Sequence, residues 1–329
     1  MKELNVAWEE FYEAIRSKRF LGLLFLYLAF ILLINHVTRS TMIDLAGQTR
    51  ITPLRNYGVD LLVAKTPITL SMITNLQIIT IFGALIGITL GADAVNREIS
   101  EGTGKTLLSQ PIYRDQIING KFLGNALALI IIIFLGFTLS ITYLLIIGVP
   151  LDLTSLTRSL ISTILTLIYI LSFLSLGVMI STIIKKPETA ILVGIAIVIF
   201  LTIAYPIIAE LGASQLAGER PDHFSVERGT SSEQVSEPED KPVSIPVEDP
   251  YKEWKEKRDK WRNRLYSLSP AHHYSKLVGG AFAGDEYTKT FKSIGETIPL
   301  VINNLAIIAV QLLLPFSIAY TRFIKKDLR

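Results

Sequence analysis

Six stretches of this chain contain no Asp, Glu, Lys or Arg: Phe20–Thr38, Thr66–Ala92, Phe122–Leu151, Ser159–Ile184, Thr189–Ala209 and Thr297–Thr321. A hydrocarbon layer offers no water to bare peptide groups, so a long apolar run crosses it as a helix that satisfies its own backbone. About 20 residues rising about 1.5 Å each span a core of about 30 Å. The first stretch is the shortest and is interrupted near its end by Asn35 and His36; the others are long enough. A hydrophobic content of 50% and a mean hydropathy of +0.44 agree. The expected fold is all-α: a polytopic membrane protein with six transmembrane helices, an N-terminal interfacial helix and a partly helical outer insertion before the last span.

Orientation follows from Lys and Arg in the short connections, because cytoplasmic loops hold the excess. With both termini inside, 14 bases fall on the cytoplasmic side (Lys2, Arg16, Lys18, Arg19, Arg97, Lys105, Arg114, Lys121, Lys185, Lys186, Arg322, Lys325, Lys326 and Arg329) and 5 outside (Arg39, Arg50, Arg55, Lys65 and Arg158). Both termini are therefore expected in the cytoplasm of a cell-membrane protein. The net charge of +3 is explained by these inner-face residues and implies no nucleic acid. Without cysteine there is neither disulfide nor thiolate metal site, and no cleaved signal peptide is apparent.

The chain divides into a cytoplasmic interfacial helix (1–19), five spans (20–209) carrying a polar loop at 92–121, an extracellular segment (210–298), a sixth span (299–321) and a cytoplasmic tail (322–329). In the first part Leu4, Trp8, Phe11, Tyr12 and Ile15 share one helical face, with Glu3, Glu9, Glu10, Glu13 and Arg16 mostly on the rest of the surface. Such a helix suits the membrane interface, as an anchor or as a lever touching a partner. In the extracellular segment, 219–249 holds nine acids, three bases and four prolines with few large apolar residues, and is expected to be disordered. Asp249-Pro250 then starts a helix over 250–266, which Ser269-Pro270 ends.

Catalytic signatures are weak. Gly102-Thr-Gly-Lys-Thr106 looks like the end of a phosphate-binding loop, but Ile99 stands where that motif needs glycine and no strand precedes it. Adjacent His272 and His273 point to different sides of a helix, a poor spacing for one metal. No catalytic or metal site, and no cofactor, is expected on this chain. The spans carry neutral amides rather than buried charge, which argues against an ion-driven carrier. Asn75, Gln77, Asn303, Asn304 and Gln311 are the candidate substrate path, although interhelical hydrogen bonding is the commoner role for such residues.

Residues 92–121 read ADAVNREISEGTGKTLLSQPIYRDQIINGK. Leu107 and Leu108 form an apolar tip between charges, suited either to a groove on a soluble partner or to packing against the spans. Glu98, Glu101-Gly102-Thr103, Leu107-Leu108-Ser109, Pro111-Ile112, Arg114 and Gly120-Lys121 resemble the loop between spans two and three of type-2 ATP-binding-cassette (ABC) permeases, with Glu101 one residue closer to Gly102 than in that pattern. Ser181–Ala190 between spans four and five also resembles that family, and the outer insertion with Leu268-Ser-Pro270 and Tyr274 is similar to its subgroup of nitrous-oxide-reductase maturation permeases. The resemblance implies a membrane-spanning permease subunit of an ATP-driven transporter, acting as an exporter. Its partners would be separate ABC ATPase subunits, which carry ATP and Mg, and a second permease chain in a homo- or heterodimer, all within membrane lipid. Coupling would run through Glu98, Glu101, Gly102, Thr103, Leu107, Leu108, Pro111 and Arg114, and through the turn Lys185, Lys186, Pro187 and Glu188. The alternative from another class is a membrane-anchored binding or assembly protein without transport activity.

Overall fold

The computed structural model describes residues 2–97, 113–221 and 250–325. Six of its helical stretches are long and apolar enough to cross a membrane: Lys18–Val37, Pro67–Asp93, Arg114–Ile146, Leu153–Ile183, Pro187–Ala217 and Val301–Lys325. The chain is thus an all-α, multi-pass membrane protein. In chain order the elements are α1 (Lys2–Arg16), α2 (Lys18–Val37), α3 (Arg39–Asp44), β1 (Arg50–Asn56), β2 (Val59–Lys65), α4 (Pro67–Ile78) and α5 (Ala84–Asp93). There follow α6 (Arg114–Ile146), α7 (Leu153–Ile183), α8 (Pro187–Ile199), α9 (Tyr205–Ala217), α10 (Pro250–Tyr266), α11 (Pro270–Ala281) and α12 (Ile294–Lys325). One end of the bundle holds α1 and the end of α12, and is called the terminal end below; the other is the distal end.

Two spans contain a π-turn, Ile79–Gly83 between α4 and α5 and Phe200–Ala204 between α8 and α9. Such a turn leaves carbonyls short of their ordinary partner. At the first, the Tyr169 hydroxyl donates to the Thr80 carbonyl at 2.9 Å. The second lies just before Pro206, whose missing N–H could not serve the Thr202 carbonyl in an α register.

The centre of the bundle is the crossing of α5 on α7. Glycine makes it possible: a Cβ on Gly91 would lie 2.2 Å from the Leu174 carbonyl oxygen, and one on Gly177 would lie 2.5 Å from that of Ile88. Without a hydrophobic drive between helices in lipid, such close backbone approach supplies the packing that holds them. Along α7 the packing continues through Tyr169 and Phe173 to Tyr274 of α11, whose ring stacks on Tyr169 at 4.4 Å and whose hydroxyl is 2.8 Å from Thr166 Oγ1.

The distal end carries a cap that the sequence reading did not contain. β1 and β2 pair antiparallel around Tyr57 and Gly58, both at positive φ, the backbone twist a two-residue hairpin needs. The cue was present in Asn56-Tyr57-Gly58 between two strand-like runs. The hairpin covers α11, of which ten residues are buried. Arg158 fixes the connection to α12 by donating to the carbonyls of Ala281 and Lys292, its guanidinium 4.6 Å from the centre of the Phe291 ring. Helix α10 returns antiparallel along α9: the Trp254 indole donates to Gly218 O at 3.0 Å and the Tyr266 hydroxyl to Pro206 O at 3.0 Å. Of the segment 219–249, read from its composition as disordered, residues 222–249 lie outside the described residues.

Candidate coupling site and substrate path

At the terminal end, α1 lies against the start of α6. Its contact face is Val6, Ala7, Glu10 and Ala14, because Gly120 and Gly124 let it approach until an added Cβ would stand 2.7 Å from Val6 Cβ and 2.4 Å from Ala7 O. Glu10, expected on the surface, is instead turned inward. It accepts hydrogen bonds from Lys121 Nζ and Asn125 Nδ2, both at 2.9 Å, and the Lys121 side chain is only 3% exposed. Of the apolar stripe that the periodicity marked, Phe11 and Ile15 pack against the core of the bundle, whereas Trp8, stacked on Phe11 and edge-on to Tyr12, is exposed together with Tyr12. A helix in the interface presents such a face to lipid.

Two further ion pairs tie this end together, Arg19 to Asp93 at 3.4 Å and Arg97 to Glu13 at 3.9 Å. Both are largely exposed, so they fix geometry more than they stabilise. Ser181 Oγ at the end of α7 accepts from the backbone N–H of Val95 (2.9 Å) and Asn96 (3.0 Å), pinning the segment that leaves α5. On the return side, Arg114 donates to the Ile324 carbonyl at 3.1 Å. A second apolar cluster, including Val95, Ile118, Val178 and Phe323, closes the space between these helix ends. The two flanks of the 98–112 loop are therefore held by α1 and α7 on one side and by α12 on the other.

Of the expected coupling residues, Arg114 occupies that anchor, Lys185 and Lys186 are exposed in the turn before α8, and Pro187 and exposed Glu188 are the first two residues of that helix. Lys186, Pro187 and Glu188 border one cavity of about 880 Å³ together with Arg97, Glu10, Glu13 and Lys121. Glu98, Glu101, Gly102, Thr103, Leu107, Leu108 and Pro111 lie outside the described residues, as does all of Gly102–Thr106. Sequence reasoning named Lys121 only within the loop motif and missed its pairing with Glu10 and Asn125; Gly120 and Gly124, four apart where α6 begins, were the available signal.

The five amides named as a path do not meet within one chain. Asn75 is buried among α2, α4 and α6, donating to Ser140 Oγ at 3.2 Å beside Asn35 and Ser71. Gln77 donates to Asn56 Oδ1 of the hairpin at 3.3 Å on an exposed face. Asn304 Oδ1 is 2.8 Å from His273 Nδ1 of α11, while its neighbour Asn303 is exposed on α12. Gln311, two turns on, has a buried Oε1 with no hydrogen-bond partner among the described residues.

The two histidines at the distal end have separate structural partners. His272 Nδ1 donates to Tyr57 O at 2.6 Å, and His273 Nε2 donates to Ser267 O at 2.7 Å, the ring planes lying 79° apart. Burial, with the charges of Lys276, His273 and Arg262 acting the same way, lowers the His272 pKa to about 4 against the opposing bond to Tyr57. An unfolded chain takes up this proton near pH 6.5 and the folded one only near 4, so the contribution is full above about 6.5 and falls as the pH drops between these values. The thermal midpoint of the purified chain should drop from pH 7 to pH 4.5, and His272→Gln should flatten part of that slope. An unchanged slope in the variant would remove His272 as its source.

In sequence comparisons no curated protein matches the chain. The model of one family, described as ABC-2 family transporter protein, matches residues 4–328, nearly its whole length. Six membrane-spanning helices and a bundle end built around the flanks of one polar loop fit that match, and the chain belongs to the ABC-2 family of transporter proteins.

Proposed function

We propose that this membrane permease component works as an exporter subunit, with separate ABC ATPases docked beneath its terminal end in the cytoplasm. The ATPases carry ATP and Mg; this chain holds neither. The observation that carries the reading is convergence: Arg97, at the start of the 98–112 loop, and the Lys186–Glu188 turn border the same cavity. A push on either element reaches α1, α5 and α8 together. Closure of the ATPases would move the Glu98–Arg114 loop and this turn, tilting spans and switching access. A second permease chain would complete the substrate path, with exposed Gln77 and Asn303 the amides best placed to line it between chains. The distal similarity at Leu268-Ser-Pro270 and Tyr274 supports the nitrous-oxide-reductase maturation subgroup.

The test is copurification of an ABC ATPase with the wild-type chain and with the Leu107→Asp, Leu108→Asp double variant. Apolar burial at about 25 cal/mol per Å² is lost and two charges must be desolvated, so ATPase recovery should fall to background. Wild-type-level recovery with an inserted double variant would reject the loop as the docking element. A wild-type chain that brings down no ATPase would favour the anchored binding protein instead. Orientation is checked separately, since the chain has no native cysteine: a cysteine at Ser232 should react with an impermeant thiol reagent on whole cells, and one at Ser109 should not. The opposite pattern would invert the topology.

A further inference from the structure

The 880 Å³ cavity at the terminal end has an apolar floor and a charged rim. Phe20 and Leu23 of α2, Ile86 and Leu90 of α5, and Ala14 of α1 line its deeper part. The rim carries five bases (Lys18, Arg19, Arg97, Lys121 and Lys186) and four acids (Glu10, Glu13, Asp93 and Glu188). Three pairs, Lys121–Glu10, Arg19–Asp93 and Arg97–Glu13, neutralise three of each. Lys18, Lys186 and Glu188 are left, and neither lysine makes an ion pair among the described residues. Among the described lining residues the unmatched charge is therefore one positive, set over greasy walls at the level where the spans change from apolar to charged. Both lysines stand where a helix begins, α2 and α8, while the C-terminal ends of α1 and α5 border the same space, so the helix dipoles there oppose one another and the lysine charges set the potential. The site has the size of a small-molecule pocket and sits at the edge of the bilayer rather than on a water-filled face.

We propose that this cavity is a binding site for an anionic phospholipid of the surrounding leaflet, its phosphate between Lys18 and Lys186 and the upper part of an acyl chain along Phe20, Leu23, Ile86 and Leu90. A neutral or zwitterionic lipid fits the floor but leaves the lysines unmatched. A soluble anion matches the lysines but leaves the floor empty. Because Arg97 and Lys186–Glu188 border the same space, a bound lipid touches both elements through which we propose the ATPases act. Occupancy would then modulate coupling, a consequence that rests on the exporter reading, whereas the binding itself does not.

The experiment uses the full chain purified in a neutral maltoside detergent, with bound lipid counted by native mass spectrometry. The probes are phosphatidylglycerol, phosphatidylcholine of the same acyl chains, and dodecyl phosphate. The wild-type chain should prefer phosphatidylglycerol to phosphatidylcholine by about tenfold or more at its tightest site, as two basic contacts imply. The Lys18→Gln, Lys186→Gln double variant should lose that preference. The Lys255→Gln, Lys257→Gln double variant, which removes as much charge from exposed positions of α10, should keep it. Thr89→Trp, which fills the cavity, should reduce binding of both lipids; should that variant not fold, the two lysine pairs decide. An undiminished preference in the Lys18/Lys186 variant, an equal loss in the α10 variant, or tighter binding of dodecyl phosphate than of phosphatidylglycerol would each overturn the proposal. No ATPase is present in the assay, so its failure would leave the permease function standing, and failure of the copurification test would leave the lipid site standing.

Discussion

Gly91→Val should yield a chain that does not assemble its bundle. The added Cβ would sit 2.2 Å from the Leu174 carbonyl oxygen, 2.7 Å from the Val178 nitrogen and 2.9 Å from Gly177 Cα. All three are backbone atoms, which no rotamer change can move. Overpacking a core ordinarily costs about 1–3 kcal/mol when flexible side chains absorb it; here the only relief is to part α5 from α7. That would also break the seat of Ala92 and strip Val95 and Asn96 from Ser181. The contrast is Gly22→Val, where nothing stands within 4 Å of a Cβ. Detergent-solubilised, monodisperse protein recovered on size exclusion measures both: Gly91→Val should fall to near zero and Gly22→Val should match wild type. Normal recovery of Gly91→Val would mean that α5 and α7 do not cross this closely.

Lys121→Ala should cost about 3–5 kcal/mol, the usual consequence of stranding one member of a buried pair. Glu10, whose side chain is 14% exposed in the intact pair, would keep only the Asn125 hydrogen bond of the two. Set against a folding stability of about 5–15 kcal/mol, a loss of that size is visible as reduced expression and a lower thermal midpoint. Removing both partners as Glu10→Met, Lys121→Met should recover most of it, because two apolar groups of similar volume need no partner. The double-variant cycle separates the pair from its surroundings. If the double variant is as unstable as Lys121→Ala, the pair is incidental and the packing of α1 on Gly120 and Gly124 supplies the stability.

The spans were legible because the bilayer imposes one rule on every residue in it, and a run without charges satisfies that rule wherever it occurs. The face of α1 was legible only in part. A helical wheel weighs hydrophobicity, so it chose Leu4, Trp8, Phe11, Tyr12 and Ile15; Phe11 and Ile15 do pack on the core, but the bundle also took the small residues Ala7 and Ala14 and an acid whose partner lies 111 positions away. In a membrane the bulky apolar side is where the lipid is, and proximity between helices is governed by what is absent from Gly120 and Gly124. The amides were ambiguous for a related reason: Asn75 and Asn304 are polar and intramembrane because other polar groups, Ser140 and His273, need them. The hairpin was overlooked because two seven-residue strands between spans carry little hydrophobic pattern. The loop was readable only as a motif, since the composition of 98–112 left docking and packing open.

The two π-turns have a mechanical consequence. Each holds one residue more than an α-helix would use over the same rise. Letting that residue into the regular register would advance the following half of the span by about 1.5 Å and swing its side chains by about 100°. This is a screw displacement, not a tilt. At Ile79–Gly83 the Tyr169 hydroxyl on the Thr80 carbonyl acts as a detent against it. At Phe200–Ala204, among the described residues, no side chain from another element takes a carbonyl; Thr202 bonds only back to Val198 of its own helix, at 2.7 Å. There the chain itself is the detent: Pro206 has no N–H for the Thr202 carbonyl in an α register, so the fifth span is held against the screw by its backbone and the second by a neighbour's hydroxyl, and α10 stays seated on the fifth through Tyr266 and Trp254.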